Sequence, residues 1–230
     1  MSGVIIVCEG QTEQRFVGDV LAPFLAARSV LVSPRIIPTS RRGKGGALTR
    51  TRVLRYLRNT LRERGDTYVT TLFDLYGLTA DFPGYAATAG LTDPIARAIA
   101  IEAEFGRAVV HEAGCRPQRF VPHVQPYEFE SLLFSDVTRF AEVEPDWQRY
   151  IGTLQDARQS AATPEHINDG RNTHPAARLT TLLHSRKYRK VLHGAAVSAR
   201  IGIGRIRAEC RHFGDWLDRV KDLPPLARAE

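Results

Sequence analysis

The chain has few of the features that mark secreted, membrane-spanning or zinc-ribbon proteins. Its 230 residues include only three cysteines, Cys8, Cys115 and Cys210, which lie far apart and form no Cys-x-x-Cys pair. This spacing argues against a disulfide framework or a structural zinc site and is typical of a reducing compartment. No apolar run approaches the roughly 18 residues that span a bilayer, and the amino terminus lacks the basic region of a signal peptide. The sequence therefore predicts a cytoplasmic protein without a membrane segment.

Two familiar motifs for phosphate and metal binding are also missing. Residues 39–46 contain Gly-Lys-Gly but not the GxxxxGK[ST] arrangement that cradles nucleotide phosphates, which argues against an ATPase site. Four histidines between residues 166 and 193 follow neither HExxH nor HxH spacing, and we interpret them as scattered side chains that share no metal. These histidines are His166, His174, His184 and His193.

Acidic residues are outnumbered by basic ones. The chain has 32 Lys and Arg against 25 Asp and Glu, a net charge of +7, which favours a polyanionic partner such as nucleic acid. The positive charge is densest in the loop at 39–46 and the predicted helix at 47–64, where only Glu63 opposes a series of arginines. A solvated helix face is the alternative, but such faces usually mix both signs. We therefore predict that this segment contacts phosphates without reading sequence, through Arg41, Arg42, Lys44 and Arg55.

Carboxylates follow the apolar segments that are predicted as strands. Residues 4–8 form a short, β-branched run that ends at Glu9, and Gly10 then allows a turn into a helix with Glu13 in its first turn. These two carboxylates predict a metal site or an acid/base pair. The alternative is a structural one, in which Glu9 is a solvated strand end and Glu13 is favoured by the helix dipole.

The same pattern occurs twice more along the chain. Residues 67–73 are rich in β-branched and aromatic side chains and end at Asp74, whereas residues 120–125 form another predicted strand. Glu128 and Glu130 follow that strand at the start of a predicted helix, in an apolar setting where unpaired charge is costly. Acidic residues are therefore expected near three strand ends.

Strands and helices alternate over the first part of the chain. This order predicts an α/β fold with a mostly parallel sheet covered by helices on both faces. Because active sites of such sheets lie at the carboxyl ends of the strands, the acidic residues are expected to converge there. From about residue 142 onwards the pattern is helical only. We predict an α/β core over residues 1–141 and a helical carboxy-terminal region over residues 142–230 that packs on it.

Four short motifs occur along the chain in a recognisable order. They are Glu-Gly-x-Thr-Glu at 9–13, Asp-x-Tyr-Gly at 74–77, Tyr-Glu-Phe-Glu-x-Leu-Leu-Phe at 127–134 and His-Phe-x-x-Trp-Leu at 212–217. Together they resemble the TOPRIM fold of topoisomerases, primases and OLD-family nucleases. The resemblance is closest to small TOPRIM-like proteins encoded beside AAA or ABC-type ATPases in bacterial defence loci, and it covers nearly the whole chain.

The resemblance implies a nuclease that depends on Mg²⁺ or Mn²⁺ and cleaves DNA or RNA, as an effector in anti-phage defence. Its implied partners are nucleic acid and an AAA or ABC-type ATPase, with self-association into a homo-oligomer left open. The implied metal ligands are Glu9, Asp74, Glu128 and Glu130. The implied catalytic residues are Glu9, Glu13, Asp74 and Lys190, with Lys187 as the alternative lysine.

One residue departs from the TOPRIM pattern. These enzymes carry Asp-x-Asp at this strand, whereas Tyr76 takes the second position here, and a phenol is a poor ligand for Mg²⁺. Either one metal binds, or Asp81, Glu128 or Glu130 completes the second position. The same departure supports an alternative function, that of a non-catalytic subunit that binds nucleic acid or regulates a partner.

Overall fold

A parallel sheet forms the centre of the protein, which was analysed as a computed structural model describing residues 1–38, 47–168, 170 and 173–227. Within these residues the sheet has five strands, β1 (Ser2–Cys8), β2 (Val30–Ile36), β3 (Thr67–Asp74), β4 (Phe120–Val121) and β5 (Val124–Gln125). The strand order is β2-β1-β3-β4, and β5 pairs with β3 beyond the end of β4. All of the pairings are parallel, which confirms the predicted α/β fold with a parallel sheet.

Both faces of the sheet are buried. Side chains alternate along a strand, so Val4 and Ile6 of β1 enter one apolar cluster while Ile5 and Val7 enter the other. The strand therefore has to be apolar at every position rather than at alternate ones. This explains why the sequence of β1 is a continuous apolar run.

Helices cover each face. On the first face lies α1 (Gln11–Phe16), which continues through a π turn at Val17–Leu21 into α2 (Ala22–Ala26). The opposite face is covered by α3 (Arg50–Glu63) and α4 (Pro94–Ala113), whose buried leucines, valines and phenylalanines form the second cluster. The predicted flanking of the sheet by helices on both faces is confirmed. Among the described residues, no helix combines the length and apolar character that crossing a membrane requires.

The carboxy-terminal helices extend the first of these layers. They are α5 (Phe140–Val143), α6 (Ile151–Gln159), α7 (Pro175–Leu182), α8 (Lys190–Ile201), α9 (Ile203–Glu209) and α10 (Arg211–Lys221). Their buried side chains join the cluster that contains β1 and α1, and the ring of Phe213 lies 6.1 Å from that of Phe16. The boundary at residue 141 stays a prediction, since side chains from both sides of it share one core.

Two local predictions differ from the structure. The strand predicted at 120–125 is divided into β4 and β5 on either side of Pro122 and His123, because proline has no backbone N–H to donate to a sheet. The helix predicted after Glu128 is a 3₁₀ helix, Phe129–Ser135, in which every residue is buried. Its tight backbone holds Glu128 and Glu130 close to the end of β3.

Candidate metal centre

The first two predicted carboxylates meet at the carboxyl edge of the sheet. In the parallel register Cys8 is the partner of Leu72, so β1 and β3 end at the same edge. The backbone N–H of Asp74 donates a hydrogen bond to Oε2 of Glu9 over 3.3 Å. The strand-end argument therefore places Glu9 and Asp74 correctly relative to each other, while their roles as metal ligands stay predictions.

Glu13 has a structural as well as an electrostatic position. Its Oε2 accepts a hydrogen bond from the backbone N–H of Gly10 over 2.9 Å, which satisfies a free donor at the start of α1. Burial, together with the nearby Glu9 carboxylate, raises the pKa of Glu13 to about 7. Glu13 thus has a structural role as a helix cap, whereas its predicted role through the helix dipole stays a prediction, and the same side chain can also exchange a proton near neutral pH.

Asp74 forms a compact cluster with two further carboxylates, those of Glu128 and Glu130. Oxygen atoms of Asp74, Glu128 and Glu130 all lie within 4.8 Å of one another. Asp74 organises the other two, because its Oδ1 accepts a hydrogen bond over 2.8 Å from the backbone N–H of Phe129, the residue between them. Glu128 and Glu130 are only 5% and 1% exposed. We call Asp74, Glu128 and Glu130 the carboxylate cluster.

The carboxylate cluster carries more negative charge than its immediate contacts compensate. Nζ of Lys190 lies 3.3 Å from Oε2 of Glu130 and 3.6 Å from Oε2 of Glu128. Burial raises the pKa of Glu130 to about 7, and burial and the Glu13 carboxylate raise the pKa of Asp74 well above its ordinary value. Within the described part of the chain, Oε1 of Glu130 is buried without a hydrogen-bond partner. An orphaned carboxylate oxygen among other carboxylates fits the oxygen ligand set of Mg²⁺ or Mn²⁺.

Lys190 is the lysine that the structure brings to the cluster. It is the first residue of α8, and its contacts with Glu130 and Glu128 raise its pKa above the ordinary value although burial opposes this. Lys187, the alternative, is exposed in the preceding turn. Nothing in the local sequence distinguishes the two lysines, since only the fold decides which of them faces the carboxylates.

Histidine 174 contacts the cluster although its sequence context gives no sign of it. Its Nδ1 lies 2.8 Å from Oε1 of Glu128, and it precedes Pro175 at the start of α7. The interpretation of the histidines as scattered is therefore incomplete for His174. A His-Pro pair at a helix start predicts a helix boundary and says nothing about a distant carboxylate.

Tyr76, which takes the place of the second acid, and Asp81, one of the residues weighed for a second metal position, have other contacts. The ring of Tyr76 packs 5.5 Å from that of Tyr127 and 6.0 Å from that of His174, and Asn168 donates a hydrogen bond to its hydroxyl. Asp81 accepts a hydrogen bond from the backbone N–H of Arg50 over 3.2 Å at the start of α3. Tyr76 thus contributes an aromatic side chain beside Glu128, and Asp81 holds the start of a helix.

The positive segment begins at the same edge of the sheet. Leu48 donates its backbone N–H to the carbonyl of Gly77 over 3.3 Å, so the start of α3 lies next to the turn that follows Asp74. Arg50 and Arg55 are exposed on this helix. The other predicted phosphate contacts, Arg41, Arg42 and Lys44, lie outside the described residues.

Gly77 tests the importance of the Glu9 position. A Cβ atom added at Gly77 would overlap the carboxylate of Glu9. Gly77→Ala is therefore expected to displace Glu9 and to weaken divalent-cation binding by about 10-fold, the range seen when supporting contacts of a metal site are lost. Isothermal titration with Mg²⁺ and Mn²⁺ measures this. Gly90→Ala is the matched control, because a Cβ there meets no neighbouring atom within 4 Å. Equal affinity in both variants would contradict a role for Glu9 in cation binding.

The molecule is thus a parallel α/β protein with an acidic, partly buried centre at the carboxyl edge of its sheet. Residues 8–221 match the family described as Domain of unknown function (DUF4276), and the chain belongs to that family. The matched region contains Glu9, Glu13, Lys190 and the whole carboxylate cluster. No curated protein and no solved structure matches the sequence.

Proposed function

We propose that the protein is a nuclease that uses Mg²⁺ or Mn²⁺ to hydrolyse phosphodiester bonds of DNA or RNA. The observation that carries this proposal is the carboxylate cluster, in which three acids converge and Oε1 of Glu130 is buried without a hydrogen-bond partner among the described residues. A divalent cation compensates such a cluster better than the single ammonium group of Lys190 does.

The acidic side chains have separate roles in the proposed hydrolysis. Asp74, Glu128 and Glu130 hold the cation, and Glu9 lies beside them on the end of β1. A bound divalent cation supplies activation of water and stabilisation of the leaving oxygen. Glu13, with a pKa of about 7, accepts and returns a proton at neutral pH.

The remaining charged residues suit a polyanionic substrate. Lys190, which is half-exposed beside the cluster, offsets the charge of the phosphate that is cleaved. Exposed arginines at the start of α3 contact flanking phosphates and impose no base preference. The four motifs that resemble TOPRIM-like defence proteins support an AAA or ABC-type ATPase as partner and a role in anti-phage defence.

The proposal is tested with the purified chain on labelled DNA and RNA. Cleavage is expected with Mg²⁺ or Mn²⁺ and is expected to stop when EDTA is added. The competing function, a non-catalytic subunit, is favoured by Tyr76 in place of the second acid. It predicts nucleic-acid binding with neither cleavage nor measurable Mg²⁺ or Mn²⁺ binding by calorimetry, and that combined result would exclude the nuclease.

A further inference from the structure

A second group of ligand-type side chains lies at the opposite edge of the sheet from β2. It consists of Glu102 on α4, His123 between β4 and β5, and His212 on α10. One ligand atom from each of these residues lies within 4.8 Å of those of the other two, and all three side chains are buried. We call Glu102, His123 and His212 the histidine cluster. The four motifs of the sequence include only His212 of this set.

Hydrogen bonds around the histidine cluster fix the orientation of a glutamine. The carboxylate of Glu165 accepts the backbone N–H groups of His212 and Phe213 over 2.9 and 3.0 Å, so it acts as an acceptor. Gln125 accordingly turns its amide nitrogen towards Glu165, at 3.4 Å, and its oxygen towards Nε2 of His123, at 3.2 Å. Since an amide oxygen only accepts, Nε2 of His123 is the nitrogen that carries the proton.

The other ring nitrogen of His123, Nδ1, then carries a lone pair and no proton. In a neutral imidazole with a proton on Nε2, Nδ1 can only accept. Nδ1 of His123 is fully buried and has no hydrogen-bond partner among the residues that the structure describes. Its neighbour is Oε1 of Glu102 at 3.5 Å, a carboxylate oxygen that also accepts the backbone N–H of Val124 over 2.8 Å. Two hydrogen-bond acceptors that face each other in the protein interior are unfavourable unless a positive species, a proton or a metal ion, lies between them.

The spacing of the atoms suits a metal ion. Nε2 of His212 lies 2.8 Å from Oε1 of Glu102, a hydrogen bond whose proton a metal ion would replace, and Nδ1 of His123 lies 3.5 Å from the same oxygen. Ligands about 2.0–2.2 Å from a tetrahedral Zn²⁺ ion lie roughly 3.3 Å from one another, and the two observed distances bracket that value. Two imidazoles and one carboxylate form a ligand set that suits Zn²⁺, whereas Mg²⁺ prefers oxygen ligands alone.

We propose that Glu102, His123 and His212 bind a transition-metal ion, with Zn²⁺ as the best match. The carboxylates of Glu102 and Glu165 supply negative charge for a divalent ion in this buried setting, although Nη2 of Arg219 also lies 4.0 Å from Oε2 of Glu102. The centroid of the His123 ring lies 4.9 Å from that of His212 and 4.6 Å from that of Trp216, with nearly parallel ring planes. The ion therefore ties α10 to α4 and to the edge of the sheet, and its role is structural and separate from that of the carboxylate cluster.

Cobalt substitution tests this site in the full-length chain. After chelator treatment and reloading with Co²⁺, the histidine cluster of the wild type is expected to bind about one equivalent, with visible d–d absorption typical of a nitrogen-ligated, four-coordinate ion, in addition to any ion at the carboxylate cluster. His123→Gln and His212→Gln are expected to lose this absorption. His184→Gln, at an exposed histidine, and Asp74→Asn, in the carboxylate cluster, are expected to keep it.

X-ray absorption spectroscopy of the Zn²⁺-loaded wild type decides the question even where a histidine variant fails to fold. Scattering from two imidazole rings supports the site. A wild type that takes up neither ion, a spectrum without imidazole scattering, or unchanged Co²⁺ absorption in a folded His123→Gln variant would each overturn it. His123 would then carry a second proton instead. None of these readouts depends on nuclease activity.

Discussion

Asp74→Asn is expected to lower the rate of metal-dependent cleavage by about 10³-fold. A catalytic cation provides several kcal/mol of transition-state stabilisation, and each 1.36 kcal/mol corresponds to a factor of ten in rate. Asp74 is the residue whose loss should remove most of this, because it contributes an oxygen to the cluster and also accepts the N–H of Phe129. The asparagine oxygen can keep the hydrogen bond while the negative charge is lost.

The experiment compares initial cleavage rates at saturating Mg²⁺, with circular dichroism and thermal unfolding as checks of the fold. Asp81→Asn is the matched control, since Asp81 is exposed and bonds to the start of α3 rather than to the cluster. It is expected to cleave at the wild-type rate. Glu9→Gln should lose activity as Asp74→Asn does, because it removes a negative charge beside the cluster while its amide oxygen can still accept the N–H of Asp74. A folded Asp74→Asn protein with wild-type activity would place the chemistry elsewhere.

The predictable part of the candidate site is the part that depends on strand ends. Glu9 follows an uninterrupted apolar run and Asp74 ends a run of β-branched and aromatic residues, and parallel pairing alone brings such positions to one edge. Glu128 and Glu130 were predictable as costly charges in an apolar segment, although their 3₁₀ backbone was not. An α-helix and a 3₁₀ helix can form from equally apolar segments, so the apolar pattern alone does not predict which of the two is adopted. The packing of the neighbouring buried residues determines the choice.

Long-range partners were not predictable from local sequence patterns, and Lys190 was named only through the resemblance to TOPRIM-like proteins. His174 and Lys190 reach the cluster from the starts of α7 and α8, and their positions depend on how the carboxy-terminal helices pack on the first face of the sheet. The histidine cluster is a stronger example. Its three residues come from α4, the sheet edge and α10, so no spacing along the chain relates them. Pro122 could have signalled the break between β4 and β5, because proline is confined to edges and interruptions of sheets.

Glu130→Gln is expected to stabilise the protein in the absence of divalent cations. The pKa of Glu130 rises on folding from an ordinary value of 4.5 to about 7, mainly through burial. The folded state therefore holds this proton more tightly than the unfolded state does. The resulting stability is present below about pH 4.5 and is lost as the pH rises through 7. At pH 8 the ionised side chain costs about 1–3 kcal/mol, after allowance for its contact with Lys190.

Urea unfolding in EDTA at pH 5 and pH 8 measures this effect. The variant is expected to exceed the wild type by about 1–3 kcal/mol in free energy of unfolding at pH 8, and by much less at pH 5. Glu142→Gln, at an exposed glutamate paired with Arg139, is the control and should change stability by less than about 0.5 kcal/mol.

Divalent cations should reverse the order of stability. A cation that binds only the folded protein raises the free energy of unfolding by RT ln(1 + [M]/Kd), and the wild type gains this term in full. Glu130→Gln lacks one carboxylate of the cluster, so Mg²⁺ is expected to raise its free energy of unfolding only slightly. A Mg²⁺ concentration of about 10 mM suits the comparison, because it is of the order that fills a weak site. A variant that is less stable than wild type at pH 8 in EDTA would show that Glu130 is already compensated within the protein. In that case the carboxylate cluster would not need a bound cation to compensate its charge. The proposed cation site depends on an uncompensated electrostatic cost in the cluster, and this result would show that no such cost exists.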